Sequence, residues 1–186
     1  MSDNSKIITP PLDAETAASL RAGDEVRLTG SLYTARDAAH ARFIELIDAG
    51  KPLPVELKGQ VLFYTGPTPP RPGRASGSAG PTTSVRMDPF TPKLLRETGL
   101  LGIIGKGQRS AAVIEALREC GAVYFAALGG AGAILGKSVQ ASEVVCYGDL
   151  GTEAVRRLRV VEMPLIVAVD SRGEDLYSIG PRQYAV

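Results

Sequence analysis

Residues 122–130 read AVYFAALGG, an unbroken apolar run that ends in a glycine pair. A strand with no polar face must be covered on both sides, which places it inside a sheet packed between layers. The run predicts a strand over Ala122–Leu128. Just before it, LGIIGKGQRSAAVIEALRECG predicts a strand over residues 101–104, a glycine turn about Lys106, and a helix through Cys120 with Val113, Ile114 and Leu117 inward. Strand, helix and strand follow one another at least twice along the chain. The expected class is therefore α/β with a mixed sheet, in an order of strands that the pattern does not specify.

The flanking segments carry their own punctuation. Pro10-Pro11 sets off a short polar arm, residues 1–12, from Asp13, which caps a brief helix through about Leu20 that Gly23 ends. EVRLTG, residues 25–30, alternates Val26 and Leu28 along one face of a strand closed by Gly30. Thr34 is the expected N-cap of the next helix, with Asp37 in its positive first turn and Ala39, Phe43, Leu46 and Ile47 as its core stripe. A strand over Val61–Tyr64 stops at Gly66-Pro67. Thr91 as cap, Pro92 at the first helical position and Gly99 beyond the last turn bound a short helix. Farther on, Val144–Tyr147 reads as a short strand, EAVRRL (153–158) as a helical turn, and MPLIVAVD (163–170) as a strand ending at Asp170. Residues 13–186 are long enough to bury one core of their own and are expected to form a single domain.

Composition narrows the function classes. No run approaches 18 apolar residues, so no membrane span is expected, and MSDNSKIITPP lacks the apolar centre of a secretion signal, which makes the cytoplasm the expected compartment. Cys120, Cys146 and the single histidine, His40, are too few and too scattered for a disulfide framework or a metal ligand set. Between Lys58 and Arg109 eight basic residues face only Asp88 and Glu97, although the whole chain carries a net charge of +1. Such a concentration suits a small anion or an acidic surface. The basic residues are not interleaved with stacking aromatics, which weighs against nucleic acid.

Three stretches carry candidate chemistry. GPTTSVRMD, residues 80–88, follows a fourteen-residue loop rich in proline and glycine, residues 68–81, a length usual for functional or disordered loops. Here Thr82 and Thr83 sit beside Arg86, whose planar fork matches a carboxylate; a capped turn with one surface arginine fits the spacing equally. GIIGKGQRS holds Lys106 between glycines at the end of a strand, where open α/β sheets bind ligands, although it is not a phosphate-binding Walker sequence. LGGAGAILG reads as close backbone packing rather than a nucleotide site. Arg36 stands near the first turn of a helix, against the local dipole, so an ion pair with Asp37 or a ligand carboxylate would explain it. His40, four residues on, shares its face, in either a structural or a chemical role.

Taken together, YTARDAAHAR (33–42), VLFYTGP (61–67), GPTTSVRMD (80–88), GIIGKG (102–107) and LIVAVDSRGEDLYSIG (165–180) resemble the beta subunit, or carboxyl-terminal domain, of the class I iron–sulfur hydro-lyases, fumarase and L-tartrate dehydratase. The resemblance implies a three-layer β/β/α swivelling domain. It also implies a cluster-bearing alpha subunit that holds a [4Fe–4S] cluster, an alpha2-beta2 assembly, and no cofactor on this chain. Malate and fumarate are the implied substrates, with tartrate or another hydroxy diacid as alternatives. Thr82 corresponds to the base that takes the C3 proton, Arg36, Arg86 and Lys106 to the groups that hold the dicarboxylate, and His40, Asp37 and Thr83 to supporting residues. A binding module that keeps this cradle without turnover is the reading from another class.

Overall fold

The computed structural model describes residues 5–127, 130 and 132–184. Seven strands and six helices alternate as far as β6, which β7 follows with no α-helix between: β1 (Lys6–Ile8), α1 (Ala14–Ser19), β2 (Glu25–Thr34), α2 (Asp37–Asp48), β3 (Val61–Phe63), α3 (Thr91–Thr98), β4 (Gly102–Gly105), α4 (Ala111–Cys120), β5 (Val123–Ala126), α5 (Gly132–Ser138), β6 (Val139–Cys146), β7 (Val155–Val169) and α6 (Leu176–Tyr184). Two 3₁₀ turns, Ser84–Met87 and Gly148–Glu153, complete the described elements.

The sheet runs β1-β2-β3-β4-β5-β7-β6, and β7 also pairs with β2. That extra pairing closes β2, β3, β4, β5 and β7 into a five-stranded ring. Strands β1 to β5 are mutually parallel, whereas β7 lies antiparallel to β2, β5 and β6. Alternate side chains divide between two cores, because successive Cβ atoms point to opposite faces of a strand. Val61, Phe63, Ile104, Val123 and Phe125 face the inside of the ring with Leu28, Leu32, Leu158 and Val160. Leu62, Tyr64, Ile103 and Tyr124 face the helices with Phe43, Leu94, Val113 and Leu117. The architecture is the three-layer β/β/α swivelling fold, and the doubly apolar strand at Val123–Ala126 is interior as expected.

Several local expectations change. Gly30 does not end its strand: it takes φ 135° at a shift of register between β2 and β7, and β2 continues to Thr34. A bulge of this kind bends the strand, which closing a small ring requires. Thr34 is thus a buried strand residue whose hydroxyl accepts from the Arg156 amide at 3.1 Å, and Arg36 takes the N-cap position of α2. The buried stripe of α2 is Ala39, His40 and Phe43, with Leu46 and Ile47 only half-buried. Thr91 is the first residue of α3, not its cap; its hydroxyl donates to the Met87 carbonyl at 2.8 Å and lies 2.9 Å from the Tyr64 hydroxyl. EAVRRL is not a helical turn: from Val155 it belongs to β7, which pairs there with β2 and β6 at once. Part of the expected N-terminal arm also joins the sheet as β1, and Leu12 reaches the core.

Two glycines of the 129–136 stretch, Gly132 and Gly136, are close-packing residues, whereas a Cβ at Gly130, which takes φ 78°, would meet nothing within 4 Å. A Cβ at Gly132 would lie 2.5 Å from Ser78 Oγ, and one at Gly136 would lie 2.3 Å from the Gly77 carbonyl oxygen. Helix α5 therefore abuts the long loop directly. Leu128, Gly129 and Ala131 of the same stretch lie outside the described residues.

Candidate functional site at the carboxyl ends of the parallel strands

Strands β2, β3 and β4 run parallel, so the segments that leave them emerge along one edge of the sheet. From β2 the chain passes through Ala35 to Arg36 and Asp37. Beyond β3 it makes the long loop, pinched by Thr68 N–H to the Ser78 carbonyl at 3.0 Å and by Thr65 Oγ1 to the Gly80 carbonyl at 2.7 Å. The loop returns beside its origin, where the Thr82 amide donates to the Tyr64 carbonyl at 2.8 Å. From β4 the chain reaches Gly105 and Lys106.

Ser84 joins the last two segments. Its buried hydroxyl accepts from the Lys106 amide at 2.9 Å and donates to the Thr82 carbonyl at 3.3 Å. A Cβ at Gly105 would lie 2.3 Å from Ser84 Oγ, so only glycine admits this contact. Thr82 is half-buried, and its hydroxyl makes no hydrogen bond among the described residues. Lys106 is exposed and has no acidic partner among the described residues; with Thr83, Gln108, Ala127 and Tyr177 it lines an open cleft of about 470 Å³. Thr83 is exposed, and its side chain does not cap the 3₁₀ turn that follows.

The two arginines converge on one carboxylate. Arg86, half-exposed on the 3₁₀ turn, pairs with Asp37, whose other oxygen is 3.7 Å from Arg36 Nε. Arg36 also meets Glu153 at 3.0 Å. The expected ion pair of Arg36 with Asp37 is thus present, and Glu153 is the nearer partner. Arg36, Asp37 and Arg86 form a connected set, and Ser84 ties the turn bearing Arg86 to Lys106. Arg36, Thr82 and Arg86 stand outside the walls of the Lys106 cleft.

His40 is fully buried under this rim. Its Nδ1 lies 2.8 Å from the Arg36 carbonyl, so that nitrogen carries the proton, and its ring packs edge-on against Tyr64 at 5.0 Å. Burial lowers its pKa to about 4, against the smaller opposing effects of the Arg36 carbonyl and the Asp37 charge. A neutral ring that braces a carbonyl is a structural support.

Sequence reasoning missed Arg109 and Asp88, a buried pair at 2.9 Å. The Asp88 carboxylate also accepts from the Ser110 amide at 2.9 Å, while Arg109 lies over the Tyr124 ring. This pair fastens the segment after Lys106 to the end of the GPTTSVRMD stretch. The only signal was the charge count between Lys58 and Arg109, which contains both residues and assigns neither a partner. The basic excess is narrower than its count implied. Arg86, Lys93, Arg96 and Arg109 pair with Asp37, Asp48, Glu119 and Asp88, three of which come from outside that segment.

Among the described residues no group of three or more His, Cys, Asp or Glu is placed to hold a metal ion, and no helix is long and apolar enough to cross a membrane. Cys120 and Cys146 end different elements, α4 and β6, and burial raises both thiol pKa values. This donor set does not fit an iron–sulfur cluster.

The family described as Fumarase C-terminus matches residues 4–180. Fumarate hydratase 1, mitochondrial, of Leishmania major is 40% identical over 151 residues, as is the anaerobic class I fumarate hydratase of Escherichia coli. Each alignment takes in 81% of this chain but 28% of the relative, so the chain spans less than a third of those proteins. A putative L(+)-tartrate dehydratase subunit beta of Methanocaldococcus jannaschii is 37% identical over 171 residues, 89% of this chain and 88% of its own length. Because the matched region takes in all seven described strands and the whole rim from Arg36 to Lys106, the chain belongs to the fumarase carboxyl-terminal family.

Proposed function

We propose that this chain is the dicarboxylate-handling beta subunit of a hydro-lyase that interconverts (S)-malate and fumarate in complex with a cluster-bearing alpha subunit. The observation that carries the reading is the emergence of Arg36, Thr82, Arg86 and Lys106 from the carboxyl ends of three adjacent parallel strands. The expected assembly has two copies of each subunit. Iron–sulfur chemistry is assigned to the partner, since the cysteines here do not fit it, and the steps below concern this chain alone.

Arg36, Arg86 and Lys106 bind and orient the two carboxylates. Thr82, its hydroxyl unengaged and its backbone fixed at both ends, takes the proton from C3. Electron density then rises on the adjacent carboxylate, where fixed cations stabilise it most in a site closed to water. Departure of the C2 hydroxyl as hydroxide completes the double bond. A threonine hydroxyl is a weak base, so the same cations must also favour its deprotonated form.

The test is anaerobic reconstitution with the partner and measurement of malate, fumarate and tartrate turnover. Activity on malate that Thr82→Ala abolishes, with the complex and the fold retained, is the expected result. Full turnover in that variant removes Thr82 as the base. L-tartrate is the second reading, favoured by the relative that matches over 88% of its own length, itself described as a tartrate dehydratase subunit. Preference for tartrate in the same assay selects it. Diacid binding without turnover in a complex with an intact cluster selects a binding module.

A further inference from the structure

Helix α2 begins at Asp37, and its N-cap residue, Arg36, makes no side-chain cap bond. The first turn of a helix exposes amide hydrogens and a positive dipole end, so a guanidinium there is doubly misplaced unless acceptors are brought to it. Glu153 brings them from 117 positions along the chain. Its Oε2 accepts from the Ala38 amide at 3.4 Å, and its Oε1 lies 3.0 Å from Arg36 Nη2. One carboxylate thus caps the helix and holds the arginine. It meets the guanidinium at Nη2, and Nε is buried 3.7 Å from Asp37, which leaves Nη1 as the donor for a second carboxylate.

The turn that bears Glu153 is itself fastened to α2. Asp149 forms a two-pronged pair with Arg42, one contact being 2.9 Å, and the Tyr147 ring packs 5.6 Å from Phe43 and 5.0 Å below the Arg42 guanidinium. On the other side Gly66 leaves no slack. A Cβ there would lie 2.7 Å from the Thr152 carbonyl and 3.3 Å from Arg36 Cδ. Arg36 is therefore enclosed by Gly66, three residues beyond β3, and by the 147–153 turn, with Glu153 as its nearest carboxylate. Asp37 is farther from Arg36 and is shared with Arg86.

We propose that Glu153 is a positioning residue for the reaction, acting through Arg36 by fixing the direction in which its guanidinium meets a substrate carboxylate. The proposal rests on the assignment of Arg36 to substrate binding.

The test is a double-mutant cycle in the reconstituted complex, with Glu153→Ala and Glu153→Gln each made in wild type and in Arg36→Ala. Glu153→Ala raises KM for malate about 10-fold or more, with kcat within about 3-fold, because misdirecting a binding group weakens substrate without touching the proton transfer. Glu153→Gln, nearly the same in shape, falls between. In the Arg36→Ala background neither substitution has a further effect. An unchanged KM in both single variants overturns the proposal. So does an effect undiminished by Arg36→Ala, or a fall in kcat at constant KM, the mark of a lost active fraction. The Arg36 Nη–H resonance of the full chain, protected from exchange by the Glu153 contact in wild type and not in Glu153→Gln, gives a readout apart from turnover. If the wild-type complex acts on no hydroxy diacid, the functional assignment fails, and this resonance still decides whether Glu153 orders Arg36: equal protection in both proteins overturns it.

Discussion

Arg109 Nη1 lies 2.9 Å from Asp88 Oδ1, with side-chain exposures of 1% and 9%. The two residues stand at the ends of the segments that carry Arg86 and Lys106, and their pairing holds those segments side by side. Breaking such a buried pair leaves an uncompensated charge, at a cost of about 3–5 kcal/mol. Arg109→Met is expected to lower unfolding free energy by roughly that amount in urea titration. Replacing both residues, Arg109→Met with Asp88→Leu, should recover much of it, since no lone charge then remains.

Ser84 is the hinge pin between Thr82 and Lys106. Ser84→Ala removes the acceptor of the Lys106 amide and leaves that donor unpaired, for about 1–3 kcal/mol. The expected outcome is a modest loss of thermal stability together with a raised KM for the diacid. A variant with wild-type KM would show that the Lys106 segment holds its place without this bond.

The His40 ring contributes a pH dependence whose sign follows from its burial. The folded ring titrates at about 4 and the unfolded one near 6.5, so the unfolded chain takes up the proton first as pH falls. Stability is fully present above about 6.5, declines between there and 4, and levels off below. The difference amounts to roughly 3 kcal/mol. Chemical denaturation of wild type and His40→Leu at pH 7 and pH 4.5 checks it: wild type should lose more than the variant by most of that amount.

Arg86→Lys keeps a positive charge opposite Asp37 but loses the planar fork. A bidentate hold on a carboxylate does not survive that exchange. The variant should retain the wild-type melting temperature, because a half-exposed pair contributes at most about 1 kcal/mol. Its diacid KM should rise about 10-fold, consistent with the loss of one charge-assisted hydrogen bond of about 1.5 kcal/mol. Steady-state kinetics of the complex, set beside a melting curve, separate the two effects.

Where an element obeyed local rules, it was legible in the sequence. Gly99 and Gly121 close α3 and α4 with φ near 65°, and the apolar run supplies an interior strand at Val123–Ala126. Misreadings fell where a distant partner overrides local preference. Thr34 has good capping chemistry, yet the strand continues through it because β7 and β3 pair on either side. Residues 155–158 suit a helical turn by composition, yet they complete ladders with Leu32 to Thr34 and with Ser142 to Cys146. Register in a sheet is decided by the neighbour across the ladder, which no local window contains.

The candidate site divides in the same way. The residues that would meet a diacid were marked in the sequence, Lys106 by its place at a strand end, Arg36 by its place in the first turn of a helix, and Thr82 and Arg86 by the hydroxyl-rich stretch after the long loop. Their restraints were not. Glu153 reaches Arg36 across 117 positions, Asp37 reaches Arg86 across 49, and Asp88 reaches Arg109 across 21. The sequence by itself determined the strand–turn–helix units, the glycine-ended helices and the inventory of chemical groups, because periodicity and capping act within a few residues. Only the tertiary structure decided that β7 closes the ring and which carboxylate neutralises which arginine, because ladder pairing and charge pairing depend on separation in space rather than along the chain.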